Sequence, residues 1–298
     1  MMELNRFTDE DLRFVAETAG GGRATAGPRP GGDDVLRRLR ERPDLLDVML
    51  EDDRLVDRLR GDEQALLRVS PPLVFSVLLR RVARDLHHTP YTVERNADET
   101  VAVFDAGRVR RFIAEPAIWR YLVSMLTSFV RNESVTVLVR RRGHYVRRRF
   151  NTSSLEDMIA LSGLADQLSS PLADDAVPWI FRRIGDIALF QSGIFPRSLG
   201  WTVRPARERA VPRTLASYEE HGRRFYRLAA TRTRELAGQR DGSAAPSSAV
   251  PRSPSSDDDP GRVLEALSEE FHAARKSLEL LADRYLRWST IRLFPGFE

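Results

Sequence analysis

Apolar residues recur at three- and four-residue spacing over most of this chain, and the polar residues between them fall where helices begin and end. Residues 7–17 open with Thr8 as a cap and Asp11 at the third helical position, flanked by Phe7 and Leu12 as a hydrophobic staple. Over residues 33–69 short helices are broken at Pro43 and Gly61. Leu45, Leu46, Met49, Leu50, Leu55, Val56 and Leu59 supply their apolar face. Ser70-Pro71-Pro72 is a cap followed by proline, and predicts a helix to about His88 with a buried stripe of Val74, Leu78, Val82 and Leu86. Two short strands over 91–95 and 100–104 flank an Asn-Ala-Asp-Glu turn. A short helix over 106–114 follows, then a strongly apolar one from Pro116 to about Asn132 carrying Ile118, Trp119, Leu122, Met125, Leu126 and Phe129.

The pattern then changes period. Residues 135–150 read VTVLVRRRGHYVRRRF: alternating β-branched residues, three arginines, Gly-His-Tyr, a valine, three more arginines and a phenylalanine. This is a β-hairpin signature with charge on both faces. Helical spacing resumes with a capping-box pattern at Ser153 and Glu156, which opens a helix to about Leu168. Asp174 or Asp175 caps the next helix, with Pro178 in its first turn. Residues 179–192 are apolar over most of the helical circumference, which marks a central buried helix. Residues 197–213 form a basic connection, and 214–237 a further helix with Leu215, Tyr218, Gly222, Phe225, Ala229 and Leu236 on one side. The stretch 238–261 holds four prolines, six serines and Asp257-Asp258-Asp259, a composition expected to be disordered. The last helix carries Leu264, Leu267, Phe271, Ala274, Leu278, Leu281, Tyr285 and Trp288 at alternating spacings of three and four, a sustained heptad seam. The tail from Ile291 is expected to pack back onto the body.

These elements predict a mainly α protein with a small α+β unit. Three regions are expected: helices over 1–69 with a glycine-rich linker at 20–32, a central α+β unit over 70–152 with the basic hairpin, and a helical bundle over 153–298 interrupted by the loop 238–261. In the centre, strand, helix, helix and hairpin follow in the order of a winged helix, with the hairpin as the wing. The likeness is one of element order only, because the second helix is too apolar to read a groove.

Composition narrows the chemistry. There is no cysteine, so disulfides, thiolate catalysis and cysteine-ligated metals are excluded. The start of the chain lacks a signal-peptide apolar region, and no run of about 18 apolar residues occurs, so the expectation is a cytoplasmic protein with no membrane partner. Of the 47 basic residues only Lys276 is a lysine. That bias is what a GC-rich genome produces throughout a chain, so only local clustering bears on function. Residues 33–63 hold eleven acids against seven arginines, an acidic exterior able to cover a basic surface elsewhere in the chain.

The hairpin is the leading candidate site. Arg140, Arg141, Arg142, Arg147, Arg148 and Arg149 lie within ten residues, with His144 and Tyr145 at the tip. Guanidinium groups cannot be buried unpaired, so they must reach water, carboxylates or a partner. Contacts to phosphates would make binding steeply salt-dependent, and Tyr145 and His144 can stack on bases. The expected partner is a nucleic acid or an acidic protein segment, and the chain's own acids are the internal alternative. The second expectation is an adaptor that dimerises through the seam from Leu264 to Trp288. The third is an enzyme centred on Asp186, a carboxylate in the most apolar helix. Glu269 and His272 have Glu-x-x-His spacing once, too little for a di-iron site. His87 and His88 point in different directions, and no nucleotide, hydrolase or zinc motif occurs, so no cofactor or metal is expected and the balance leans away from catalysis.

Overall fold

Thr8 and Asp11 cap each other at the start of α1 (Asp9–Gly20): the Asp11 amide donates to Thr8 Oγ1 at 3.1 Å and the Thr8 amide to Asp11 Oδ2 at 2.8 Å. The same carboxylate accepts from the backbone and hydroxyl of Ser70, the N-cap of α6 (Pro71–Asp85), at 2.7 and 2.6 Å. One buried aspartate therefore joins two helix starts 59 residues apart. The computed structural model describes residues 7–20, 32–95, 100–141, 144–164, 172–196, 214–243, 259–286 and 293–294. It is mainly α, with two small antiparallel sheets of two strands each among the described residues. The chain divides into two compact units, residues 1–107 with 122–128, and residues 108–121 with 129–298.

In the first unit, α2 (Gly32–Glu41), α3 (Pro43–Leu50), α4 (Asp53–Gly61) and α5 (Glu63–Arg68) are short because Arg42-Pro43, Asp52 and Asp62 each restart the helix. Asp52 and Asp62 do so as N-caps, accepting the first free amides of α4 and α5. Helix α6 is buried round most of its first half through Leu73, Val74, Phe75, Val77, Leu78 and Leu79. Its second half carries the half-buried Arg80, Arg81 and Arg84. These meet the acidic exterior of α3 and α4: Arg80 pairs with Asp47 at 2.6 Å, Arg81 and Arg84 both pair with Asp53, and Arg84 donates to the Glu51 carbonyl at 2.9 Å. Strands β1 (Thr92–Arg95) and β2 (Thr100–Val103) pair with each other, Thr92 opposite Val103.

Helix α7 (Ala106–Ala114) leads to α8 (Pro116–Ser128), whose apolar face is buried at Ala117, Ile118, Leu122, Val123, Met125 and Leu126. The hairpin strands β3 (Ser134–Arg141) and β4 (His144–Asn151) form their own sheet. The winged-helix element order is thus present, but β2 pairs with β1 and the hairpin does not extend that sheet. The rest of the second unit is α9 (Leu155–Ser162), α10 (Leu172–Ile194), α11 (Leu215–Ser243), α12 (Pro260–Glu269), α13 (Phe271–Leu281) and a π-helical turn at Ala282–Leu286. As the pattern predicts, α10 is central: Ile180, Ile184, Ile187, Ala188, Leu189 and Phe190 are buried. Phe190 stacks on Phe129 with centroids 4.2 Å apart and meets Phe294 edge-on at 4.8 Å, so the described part of the tail packs onto the body. At Gly222 a Cβ would lie 2.1 Å from the Phe271 ring; the helix must be bare there for α11 and α13 to pack.

The last helix departs from a single uninterrupted seam. It breaks at Glu270 (φ −104°, ψ 29°), where Arg108 clamps the carboxylate bidentately at 2.6 and 2.8 Å, and the π turn follows at Ala282. Leu264, Leu267, Phe271, Ala274, Leu278, Leu281 and Tyr285 are all buried inside the chain, against α10 and α11. Trp288 lies outside the described residues. Three boundaries also move. Ser154, not Ser153, caps α9 by accepting from the Asp157 amide at 3.2 Å. Helix α10 begins at Leu172, so Pro178 lies inside it and not in its first turn. Helix α11 continues to Ser243, into the stretch expected to be disordered; residues 244–258 and the basic connection 197–213 lie outside the described residues.

Helix α13 is buried almost all round although it carries charge. Lys276 is 1% exposed and donates to Glu279 Oε2 at 2.9 Å; Arg275 reaches the same oxygen at 3.2 Å and Glu219 Oε1 at 2.8 Å. His272 Nδ1 lies 3.5 Å from Glu219 and 3.3 Å from Arg275. Hydrogen bonding from His272, then the charge of Arg275, holds the Glu219 carboxyl down at about 2 against the opposing effect of burial. A depressed carboxylate stabilises the fold above its ordinary pKa of 4.5 and loses that contribution as pH falls toward 2. Allowing for solvent screening at this partly exposed group, about 1–2 kcal/mol is expected to disappear over that window. Glu219→Gln should remove this part of the acid sensitivity, measured by urea unfolding at pH 6 and pH 3; an unchanged pH dependence would contradict the assignment.

Candidate functional site

The root of the hairpin is fixed by polar groups on three elements. The Glu133 carbonyl accepts both the amide and the hydroxyl of Thr152 at 3.0 Å, and Arg183 of α10 donates to the Thr152 carbonyl at 2.7 Å. Arg183 is buried with its guanidinium 3.9 Å from the Phe129 ring centroid; burial opposes its charge, and the ring face partly offsets that. The Asn151 amide donates to Asp157 Oδ2 at 2.7 Å, and the Ser153 amide to Asn151 Oδ1 at 2.8 Å, tying β4 to the start of α9. Val139 and Phe150 are buried, and Arg148 extends over the Phe150 ring at 5.1 Å.

The register decides which residues share a face, a question the sequence leaves open. Arg141 stands opposite His144, Arg140 opposite Tyr145, Val139 opposite Val146, Leu138 opposite Arg147, Val137 opposite Arg148, Thr136 opposite Arg149 and Val135 opposite Phe150. One face therefore holds positions 135, 137, 139, 141, 144, 146, 148 and 150, anchored through Val139 and Phe150. The other holds positions 136, 138, 140, 145, 147 and 149, and its described side chains, Thr136, Leu138, Tyr145, Arg147 and Arg149, are all exposed. Tyr145 is 57% exposed. The structure brings Tyr145 together with two arginines on the outer face, and puts His144 and Arg148 on the opposite one. Arg140 and Arg141 are placed by their backbone register alone, and Arg142 lies outside the described residues.

Among the described residues Arg147, Arg148 and Arg149 have no ion pair. Several arginines elsewhere differ: Arg80, Arg81, Arg84, Arg108, Arg234 and Arg275 meet carboxylates. Three of the candidate acids have other partners. Asp47 and Asp53 face α6, and Asp259 caps α12 by accepting from the Gly261 amide at 2.9 Å.

Asp186, the other candidate, is 2% exposed. Its Oδ1 accepts the hydroxyls of Tyr121 and of Tyr226, the latter at 2.9 Å, and Oδ2 lies 3.7 Å from Arg182 Nε. Burial first, and the Asp186 charge second, push both phenols well above the ordinary tyrosine range. Gly185 admits this arrangement: a Cβ there would lie 2.7 Å from the Tyr226 ring. Neither tyrosine is distinguished by sequence pattern. On α11 the spacing gave Phe225 to the apolar side, whereas Tyr226, four residues past Gly222, is the one fully buried. Two hydroxyls on Oδ1 and the Arg182 charge near Oδ2 hold Asp186 in place.

Among the described residues no group of three or more histidines and acids could hold a metal ion, and no helix is long and apolar enough to cross a membrane. Glu269 is exposed, while His272 belongs to the Glu219 network. Comparison with protein-family models, with curated proteins and with solved structures finds no match to this chain.

Proposed function

We propose that this chain is a non-enzymatic binding protein that engages an anionic partner, a nucleic acid or an acidic protein surface, through its arginine hairpin. The observation that supports the reading is a local cluster: Arg147, Arg148 and Arg149 are consecutive and exposed on an anchored strand with no ion pair among the described residues, whereas Arg80, Arg81, Arg84, Arg108, Arg234 and Arg275 meet carboxylates. Exposed, rigidly rooted guanidinium groups release counterions when they meet an array of phosphates or carboxylates.

The test is binding of a labelled 20-base-pair duplex and of polyglutamate, followed by fluorescence anisotropy. With six phosphate contacts, affinity should fall about 10³-fold between 50 and 200 mM salt. Changing Arg140, Arg141, Arg142, Arg147, Arg148 and Arg149 to glutamine should flatten the salt slope by about five. Absence of binding to either probe at 50 mM salt, or an unchanged slope in the variant, overturns the proposal. Assembly through the seam from Leu264 to Trp288 is not favoured, since its described members are already buried within the chain.

A further inference from the structure

Resting on the anion-binding reading, we infer that the partner is an acidic segment of another protein in extended conformation, which adds to the open edge of β4 as a third strand. The ladder itself supplies the first argument. Thr152 donates its amide inward to Glu133, so by the two-residue period the amides of Phe150, Arg148, Val146 and His144 point inward as well. Those of Asn151, Arg149, Arg147 and Tyr145 point away from β3. The Asn151 amide does so visibly, because its acceptor is Asp157 Oδ2. That carboxylate closes the edge at the root. Beyond it the outward amides of Tyr145, Arg147 and Arg149 have no protein partner among the described residues.

An edge of this kind alternates donors with acceptors. A peptide strand answers both, whereas a phosphate backbone offers acceptors only and leaves the outward carbonyls without a donor. Charge then selects among peptides. A second copy of β4 would set arginine against arginine, and unpaired edges are commonly guarded by such repulsion. An acidic strand reverses the sign: residues directly opposite Arg147 and Arg149 would place carboxylates on the same exposed face as those guanidinium groups. The closed position at Asn151 sets the register, and three open amides accommodate a segment of about five residues.

The experiment uses the full chain and an eight-residue peptide of alternating glutamate and valine, labelled at one end. It is compared with the same peptide N-methylated at its glutamate amides and with a single-stranded oligonucleotide of equal charge. The parent peptide should bind at 50 mM salt, and N-methylation should weaken it at least about tenfold. Amide exchange should slow at Tyr145, Arg147 and Arg149. Arg147→Pro, which removes both the charge and the outward amide, should weaken binding well beyond Arg147→Gln, which removes the charge alone. If the proline variant loses its hairpin by circular dichroism, the N-methylated peptide still decides. Equal binding of the methylated peptide, or tighter binding of the oligonucleotide, overturns strand addition while the anion-binding reading stands. No binding of any probe at low salt overturns both.

Discussion

Glu279→Ala is expected to lower the unfolding free energy by about 3–5 kcal/mol in urea titrations at pH 7, the largest effect of any single substitution considered. The carboxylate oxygen Oε2 receives Lys276 Nζ at 2.9 Å and Arg275 Nη1 at 3.2 Å on a helix enclosed on nearly every side. Truncation removes the carboxylate that Lys276 and Arg275 share and leaves Glu219 as the other carboxylate of the cluster. The cost arises from under-compensated buried positive charge more than from the lost attraction, because desolvation already offsets much of the Coulomb energy of a buried pair. The double variant Lys276→Met with Glu279→Leu should therefore recover most of the loss, with a coupling of several kcal/mol in the cycle. A single-variant loss below about 1 kcal/mol would mean that water reaches the pair, as at a surface salt bridge.

Asp186→Ala should cost about 2–4 kcal/mol, because the hydroxyls of Tyr121 and Tyr226 lose their shared acceptor. Asp186→Asn keeps an acceptor and should cost less. The two phenols ionise well above the ordinary tyrosine range, owing to burial and then to Asp186. Removing the negative charge in the folded asparagine variant should lower that ionisation, read from absorbance at 295 nm. Binding of the anionic probes, compared at equal folded fraction, should not change. Selective loss of binding with the fold intact would instead draw Asp186 into the function.

Helix boundaries were legible where a short polar side chain has one dominant local use. Thr8 with Asp11 and Ser70 before Pro71 behave as their spacing predicts. The apolar circumference of α10 correctly marked it as central. The cap at Ser154 was missed by one residue because Ser153 and Ser154 are equivalent by type, and only the bond from Asn151 to Asp157 selects between them. The continuous final helix was misjudged for a different reason. A heptad count sees the seam but not the Arg108 clamp at Glu270, contributed from 162 positions away. Nor does it see that Arg275, Lys276 and Glu279 pair with one another and are buried together. The hairpin itself was legible to within one residue at each end, since alternation followed by Arg-Gly-His is a local signal. Which of its arginines share a face was not, because that depends on the number of residues in the turn.

By itself, then, the sequence determined the mainly helical class, the position of most helices and the existence of an arginine-rich hairpin. All of these follow from periodicity and short-range chemistry within a few residues. Tertiary structure alone decided that the acids of α3 and α4 are matched to α6, that the heptad seam faces the chain's own core, and that two tyrosines converge on Asp186. It also decided that Tyr145, Arg147 and Arg149 stand on one exposed face beside a strand edge that has no partner strand among the described residues. These are pairings between residues distant in sequence, chosen by the geometry of packing and by the cost of leaving a charge or an amide without a partner. No local pattern encodes them.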